Sequence, residues 1–168
     1  GRVLATVGIL GAGLSGLLTG MLLRRAGIED VVIYERQADV GGTWLRNTYP
    51  GLHCDIPSHL YCYSFEPNPG FSQTYSGQAE IQAYLRHCAE KHGLIDRIAF
   101  ETSVEHARFD EKTSEWVLTF EDGESGKQDS GGGNPRNGIR SPARHQYLVS
   151  ATGGLTEAHI PRLDGLDR

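Results

Sequence analysis

Val3 to Leu10 is an apolar run containing β-branched residues that stops at Gly11-Ala12-Gly13, the pattern of a strand buried on both faces. From Leu14 the spacing changes: Leu14, Leu17, Leu18, Met21 and Leu22 recur at helical intervals until Gly27. Val31 to Tyr34 is a second short strand ending at Glu35. Strand, helix and strand in this order make a βαβ unit, whose two strands pair in parallel. A further helix is predicted after Ser76 as cap, with Ile81, Tyr84, Leu85 and Cys88 on one face and Gly93 at its end. Ile98 to Phe100, Val104 to Phe109 and Trp116 to Phe120 read as short strands, the last two joined by a polar turn, and Tyr147 to Ala151 as another buried strand.

Two stretches escape periodicity. Residues 39 to 75 are rich in Gly, Pro, Ser and aromatic residues, which predicts a long ordered loop with a short helical turn. Residues 122 to 144 carry Gly, Ser, Asn and Pro with almost nothing apolar, which predicts a flexible insertion. The fold class expected is α/β: a Rossmann-like parallel sheet with helices plus a small β-meander. Its domain spans 1–121 and 145–168, with the insertion between.

Composition changes this picture little. The chain has 38% hydrophobic and 22% charged residues, ordinary for a globular protein, and its 22 glycines in 168 residues are clustered, not periodic. A balance of 16 basic to 21 acidic residues without a basic run argues against nucleic acid or an anionic membrane as partner. No apolar stretch approaches a bilayer span and no secretory leader is readable. Cys54, Cys62 and Cys88, an odd number without a paired-cysteine motif, read as reduced thiols of a cytoplasmic protein. His53, Cys54, His59 and Cys62 crowd together, but their spacing fits none of the usual zinc pairs, and no metal is assigned.

The first chemistry-bearing motif is Gly11-Ala12-Gly13-Leu14-Ser15-Gly16, placed between strand and helix. Gly11 permits the tight turn, Gly13 lets the backbone approach a pyrophosphate, and Gly16 lets the helix sit close to the strand. The free N–H groups of the first helical turn, with the helix dipole behind them, attract phosphate. Glu35, at the end of the second strand, stands where a carboxylate accepts hydrogen bonds from adenosine ribose hydroxyls. An acid there repels a 2′-phosphate, which argues against NADP at this site and leaves FAD or NAD. Arg36 is a candidate adenosine-side contact.

The second motif runs Gly41-Gly42-Thr43-Trp44, then Tyr49-Pro50-Gly51, then Asp55, and continues through Ile56-Pro57-Ser58 and Tyr61-Cys62-Tyr63-Ser64-Phe65. Adjacent glycines allow a cofactor close to backbone, Trp44 offers an aromatic wall, and Pro50-Gly51 fixes the turn that holds Asp55. Every position matches the fingerprint of the Baeyer–Villiger monooxygenases among the class B flavoprotein monooxygenases, which this chain resembles over about residues 3–121 and 145–167. Ala151-Thr152-Gly153 after a strand also resembles the close of the first part of such an FAD domain.

The resemblance implies FAD as cofactor, held by the motif residues together with Leu14, Ser15, Gly42, Thr43, Arg46, Ile56, Tyr61, Val104, Thr152 and Gly153. It implies NADPH as reductant of the full-length parent, O2 and a ketone as co-substrates, and oxygen insertion through a flavin C4a-peroxide. It makes Asp55 the candidate catalytic residue, pairing with an Arg from a later part of the chain. The family's second GxGxxG, its FxGxxxHxxxW fingerprint and that Arg are absent from these 168 residues. The chain is therefore expected to be the N-terminal FAD-binding portion, inactive by itself. The rival readings are a flavin-containing monooxygenase acting on N or S, and an inactive flavin-binding fragment.

Overall fold

The computed structural model describes residues 5–121 and 142–165. Strands β1 (Thr6–Leu10), β2 (Asp30–Tyr34), β3 (Ile98–Ala99) and β7 (Tyr147–Ser150) form a parallel sheet in the order β3-β2-β1-β7. Strands β4 (Val104–Asp110), β5 (Glu115–Phe120) and β6 (Ala143–His145) form a separate antiparallel sheet. Helices α1 (Leu14–Arg25) and α3 (Gln78–Lys91) lie between strands in the chain, and a single-turn helix α2 spans Thr43–Arg46.

Period-two alternation explains how the parallel sheet is covered on both sides. Val7 and Ile9 of β1 and Val31 and Ile33 of β2 join the main core with Leu17 and Met21 of α1, Ile81, Leu85 and Cys88 of α3, and Leu94. The alternate positions Leu10, Val32 and Tyr34 join a second core with Leu118, Phe120 and Ala143 of the meander. His145 of β6 lies against Gly8, where a Cβ would come within 2.8 Å of its ring, and its Nε2 is 2.8 Å from the Tyr34 hydroxyl. The Tyr34–His145 contact thus ties the two sheets together, and Gly8 of β1 leaves the room for the imidazole.

The 39–75 loop is ordered, as its aromatic content predicts. Tyr63 stacks on Phe65 with ring centroids 5.7 Å apart, and Arg25 of α1 caps the Phe65 ring at 4.0 Å. The Tyr84 hydroxyl accepts from the Tyr63 N–H and donates to the Glu66 carbonyl, both at 2.8 Å. The Glu66 carboxylate binds Lys91 Nζ at 2.6 Å and His92 Nε2 at 3.0 Å, so the loop's end is fastened to the end of α3.

Two boundaries differ from the sequence reading. Helix α3 takes Gly77, not Ser76, as its N-cap. Ser76 is fully buried and its groups are used within the loop: its N–H donates to Ser58 Oγ and its hydroxyl to the Gln73 carbonyl. Strand β6 begins at Ala143, one residue before the expected end of the insertion at 144; residues 122–141 of that span fall outside the described ones. Its apolar signal is too short to see among polar neighbours, and it forms because Ala143 and His145 face the second core while Arg144 reaches Glu115 and Asp110. Val3 and Leu4, the first residues of the first predicted strand, lie outside the described residues.

Two outcomes test this account. A Cβ at position 16 would lie 1.9 Å from the Gly11 carbonyl oxygen, a backbone atom with no room to yield. Gly16→Ala should therefore destabilise by about 3 kcal/mol or more in urea melts. Hydrogen bonds from Lys91 and then His92 hold the Glu66 carboxyl below its ordinary range. A pKa depressed on folding stabilises at pH values above the unfolded one, and that stability disappears as acid protonates the folded carboxylate. Glu66→Gln should lower Tm by a few degrees at pH 7, and the gap from wild type should close as pH falls below about 4.

Candidate functional site

A cleft of about 740 Å³ opens where β1, β2 and β7 end at their C-terminal edges, the place where ligands bind in open parallel sheets. Gly11 turns the chain out of β1 with φ 97°, and a Cβ there would meet the Ala151 carbonyl oxygen at 2.6 Å, so the end of β7 lies directly against the turn. Gly13 is the extended N-cap of α1, with no side-chain capping bond and no acidic residue in the first turn. The first N–H groups of α1, from Leu14, Ser15 and Gly16, precede the first intrahelical bond, from Leu17 to Gly13. Gly11, Gly13, Leu14 and Ser15 line the cleft, whereas Gly16 lies behind it, between helix and turn.

Glu35 is 5% exposed and lines the same cleft. Its Oε2 accepts from the Ala12 N–H at 2.7 Å and its Oε1 from the Gln37 N–H at 2.8 Å. The carboxylate thus braces the glycine turn against the end of β2, a structural task that sequence reasoning missed. Each oxygen retains acceptor capacity. Arg36 also lines the cleft, but its guanidinium is engaged by Glu157 Oε1 at 2.7 Å. Thr156 and Glu157 line the cleft as well, and the Asn47 side chain donates to the Leu155 carbonyl at 3.1 Å. Residues 152–157 therefore run along its rim, with Thr152 and Gly153 in its wall.

Gly41 and Gly42 bring the second motif onto the first. Both have positive φ, 137° and 55°, and the Gly41 N–H donates to the Ala12 carbonyl at 3.0 Å. A Cβ on Gly42 would lie 2.9 Å from Gly13 Cα, so here the two glycine turns touch backbone to backbone. Gly42, Thr43, Trp44 and Arg46 line the cleft, with Tyr61 beside them and Val104 among its other wall residues. The Trp44 indole is 7% exposed, meets the Tyr61 ring edge-on at 5.7 Å and donates its N–H to the Tyr61 hydroxyl at 3.1 Å. Burial pushes the Tyr63 phenol above its ordinary pKa, which keeps it a donor, and it donates to the Leu14 carbonyl at 2.8 Å.

Asp55 and Ile56 are not brought into this wall. Both are exposed, on the loop beyond Pro50-Gly51 and before Pro57. Of the wall residues that no motif announced, Tyr34 and Gln37 flank the Glu35-Arg36 pair, and Thr102 and Ser103 precede Val104. Proximity in sequence to predicted site residues is the only signal that could have found them. Among the described residues no group of three or more His, Cys, Asp or Glu is placed to hold a metal, and no helix is long and apolar enough to cross a membrane.

Comparison with known proteins agrees with this geometry. Residues 9–76 match the family described as NAD(P)-binding Rossmann-like domain. A Streptomyces coelicolor protein named Baeyer–Villiger monooxygenase is 38% identical over 161 residues, 96% of this chain and 28% of that protein. The solved structure of an oxidized steroid monooxygenase bound to NADP superposes with a TM-score of 0.78 at 34% identity, covering 98% of this chain and 29% of the other. The complex of OTEMO with FAD and NADP gives a TM-score of 0.79 at 28% identity, covering 97% of this chain and 28% of the other. The chain spans a little over a quarter of the length of each. By sequence, and by the way its parallel sheet and two glycine turns are put together, the chain is similar to a Rossmann-like portion of proteins named Baeyer–Villiger monooxygenase.

Proposed function

We propose that the cleft binds FAD, and that in the whole protein this portion serves an NADPH- and O2-dependent oxygenation of a ketone. One observation carries the reading: an uncapped, acid-free helix N-terminus, a buried carboxylate and an aromatic wall all face the same cleft. The three together match the parts of a flavin dinucleotide: charged, hydroxylated and aromatic.

The residues present fit that group. The first N–H groups of α1 would take the pyrophosphate, favoured by the helix dipole and by the room that Gly13 leaves. Glu35 would accept from the adenosine ribose with its remaining lone pairs, while its negative charge disfavours a 2′-phosphate in this cleft. Trp44 and Tyr61, held edge-on by their hydrogen bond, would exclude water from one side of the ring system. Arg46, exposed at the end of α2, adds a cation to the same wall. Bound and reduced flavin supplies the oxygen chemistry, and the protein's part is to bind, orient and shield it.

Asp55 has a different place in this reading. An exposed carboxylate outside the wall is free to pair with a cation from another part of the whole protein, and we assign it that positioning of an active-site Arg. The three free thiols Cys54, Cys62 and Cys88 suit a reducing, cytoplasmic setting.

Titration with FAD should quench flavin fluorescence and raise Tm, with about 2.7 kcal/mol of added stability at about 100 times Kd. A colourless protein without a thermal shift would sink the proposal for this chain. Glu35→Gln replaces one acceptor oxygen by a donor facing backbone N–H groups, and should weaken FAD at least about tenfold. Asp55→Ala should leave FAD affinity within about twofold, because its side chain is outside the wall. In the whole protein the same variant should lose ester formation from a ketone while retaining flavin; equal loss of both would make Asp55 structural.

A further inference from the structure

The turn that would face the flavin has a weakness. Gly41 and Gly42 are consecutive residues at positive φ, and glycine loses more conformational freedom on ordering than any other residue. The one-turn helix α2 that follows is too short to hold itself, and its last carbonyls lack intrahelical partners.

Three side chains of α3 meet this segment. Gln78, Gln82 and Arg86 recur every fourth residue and so share one face of the helix. The Gln78 amide donates to the Trp44 carbonyl, just after the glycine pair. The Gln82 amide donates to the Val40 carbonyl, just before it, at 3.1 Å, and to Asp39 Oδ2 at 3.3 Å. Gln82 Cγ also sits 3.1 Å from where a Gly41 Cβ would be, so its methylene fills the space a side chain would need. Arg86 reaches Asp39 Oδ1 at 2.6 Å, the oxygen that accepts the Val40 N–H at 2.8 Å, and is itself oriented by Glu90 at 2.9 Å.

We infer that Gln78, Gln82 and Arg86 are positioning residues: a polar ladder on α3 that fixes the backbone on both sides of Gly41-Gly42, and with it the placement of Trp44 and the contact between Gly42 and Gly13. The inference rests on the reading of the cleft as an FAD site. It assigns to a helix that lines none of the cleft a share of the affinity for its ligand. The bonds lie at the two ends of the glycine pair and not along α3 generally, which separates this role from ordinary helix packing by Ile81, Leu85 and Cys88 on the core face.

Gln78→Met and Gln82→Met keep the methylenes and remove the donors; Arg86→Lys keeps a cation for Asp39. Hydrogen exchange of amides 40–46, FAD affinity, and the visible circular dichroism of bound FAD are measured on the full chain. In the double Met variant, exchange at 40–46 should quicken at least about tenfold with β1 and β2 unchanged, FAD Kd should rise about tenfold, and the flavin dichroism should change shape. The Gln82→Met single variant should show the same changes in smaller degree, and Arg86→Lys, which keeps a cation at Asp39 but loses the second N–H held by Glu90, smaller changes still. Unchanged exchange at 40–46 overturns the ladder; faster exchange with unchanged FAD affinity and dichroism overturns its role at the site. Failure of the wild-type chain to bind FAD overturns the cofactor reading and this inference's ligand with it, whereas equal binding by wild type and variants overturns the inference alone.

Discussion

The contact of two glycine backbones, Gly13 at the mouth of α1 and Gly42 ahead of α2, is the constraint on which the rest of the site depends. Any side chain at position 42 would drive the two turns apart, and the turns carry the groups that face the cleft. Once they touch, the Gly41 N–H reaches the Ala12 carbonyl, and the Ala12 N–H reaches Glu35. The peptide groups on both sides of Ala12 are thereby held, one by Gly41 and one by Glu35. Two turns separated in the chain by α1 and β2 become one surface through contacts between backbone atoms.

Glu35 shows how one group can serve fold and site together. A carboxylate 5% exposed is costly unless it is hydrogen-bonded, and two backbone N–H groups meet that need. The same bonds hold the carboxylate at the cleft that it lines. On the proposed reading of the cleft, stability and ligand recognition at this position are coupled, which is why a conservative change is more informative than a charge reversal. The sheet beneath has an analogous device. Tyr34, next to Glu35, packs its ring on Phe120 at 5.2 Å and bonds His145 through its hydroxyl, so the meander braces β2 just behind the site.

Much of this was legible in the residues themselves. The βαβ unit, the glycine turn and the acid after β2 follow from periodicity and fixed short spacing, and the structure has all of them. The GGTW segment was legible as a partner of that turn, although not how closely it approaches it. The cleft is also lined by Leu14, Ser15, Arg46, Tyr61, Val104, Thr152 and Gly153, candidates that only the family resemblance named. Strand β6 was not legible, because three residues with one inward Ala and one inward His carry no hydrophobic pattern; the meander's edge supplies the reason for the strand. Ser76 looked like a cap and is instead a buried loop fastener, since a hydroxyl beside a helix start can bond in either direction.

The sequence by itself determined the elements, the glycine turn and the family resemblance, because helix faces, strand alternation and glycine spacing are contacts between near neighbours in the chain. Tertiary structure alone decided what holds the site in place. Gln82 meets Asp39 across 43 residues and Tyr34 meets His145 across 111, and no local pattern records such pairs. It also decided that Asp55 stands outside the cleft while Glu35 is built into its frame, since a carboxylate's surroundings depend on which distant backbone groups folding brings to it.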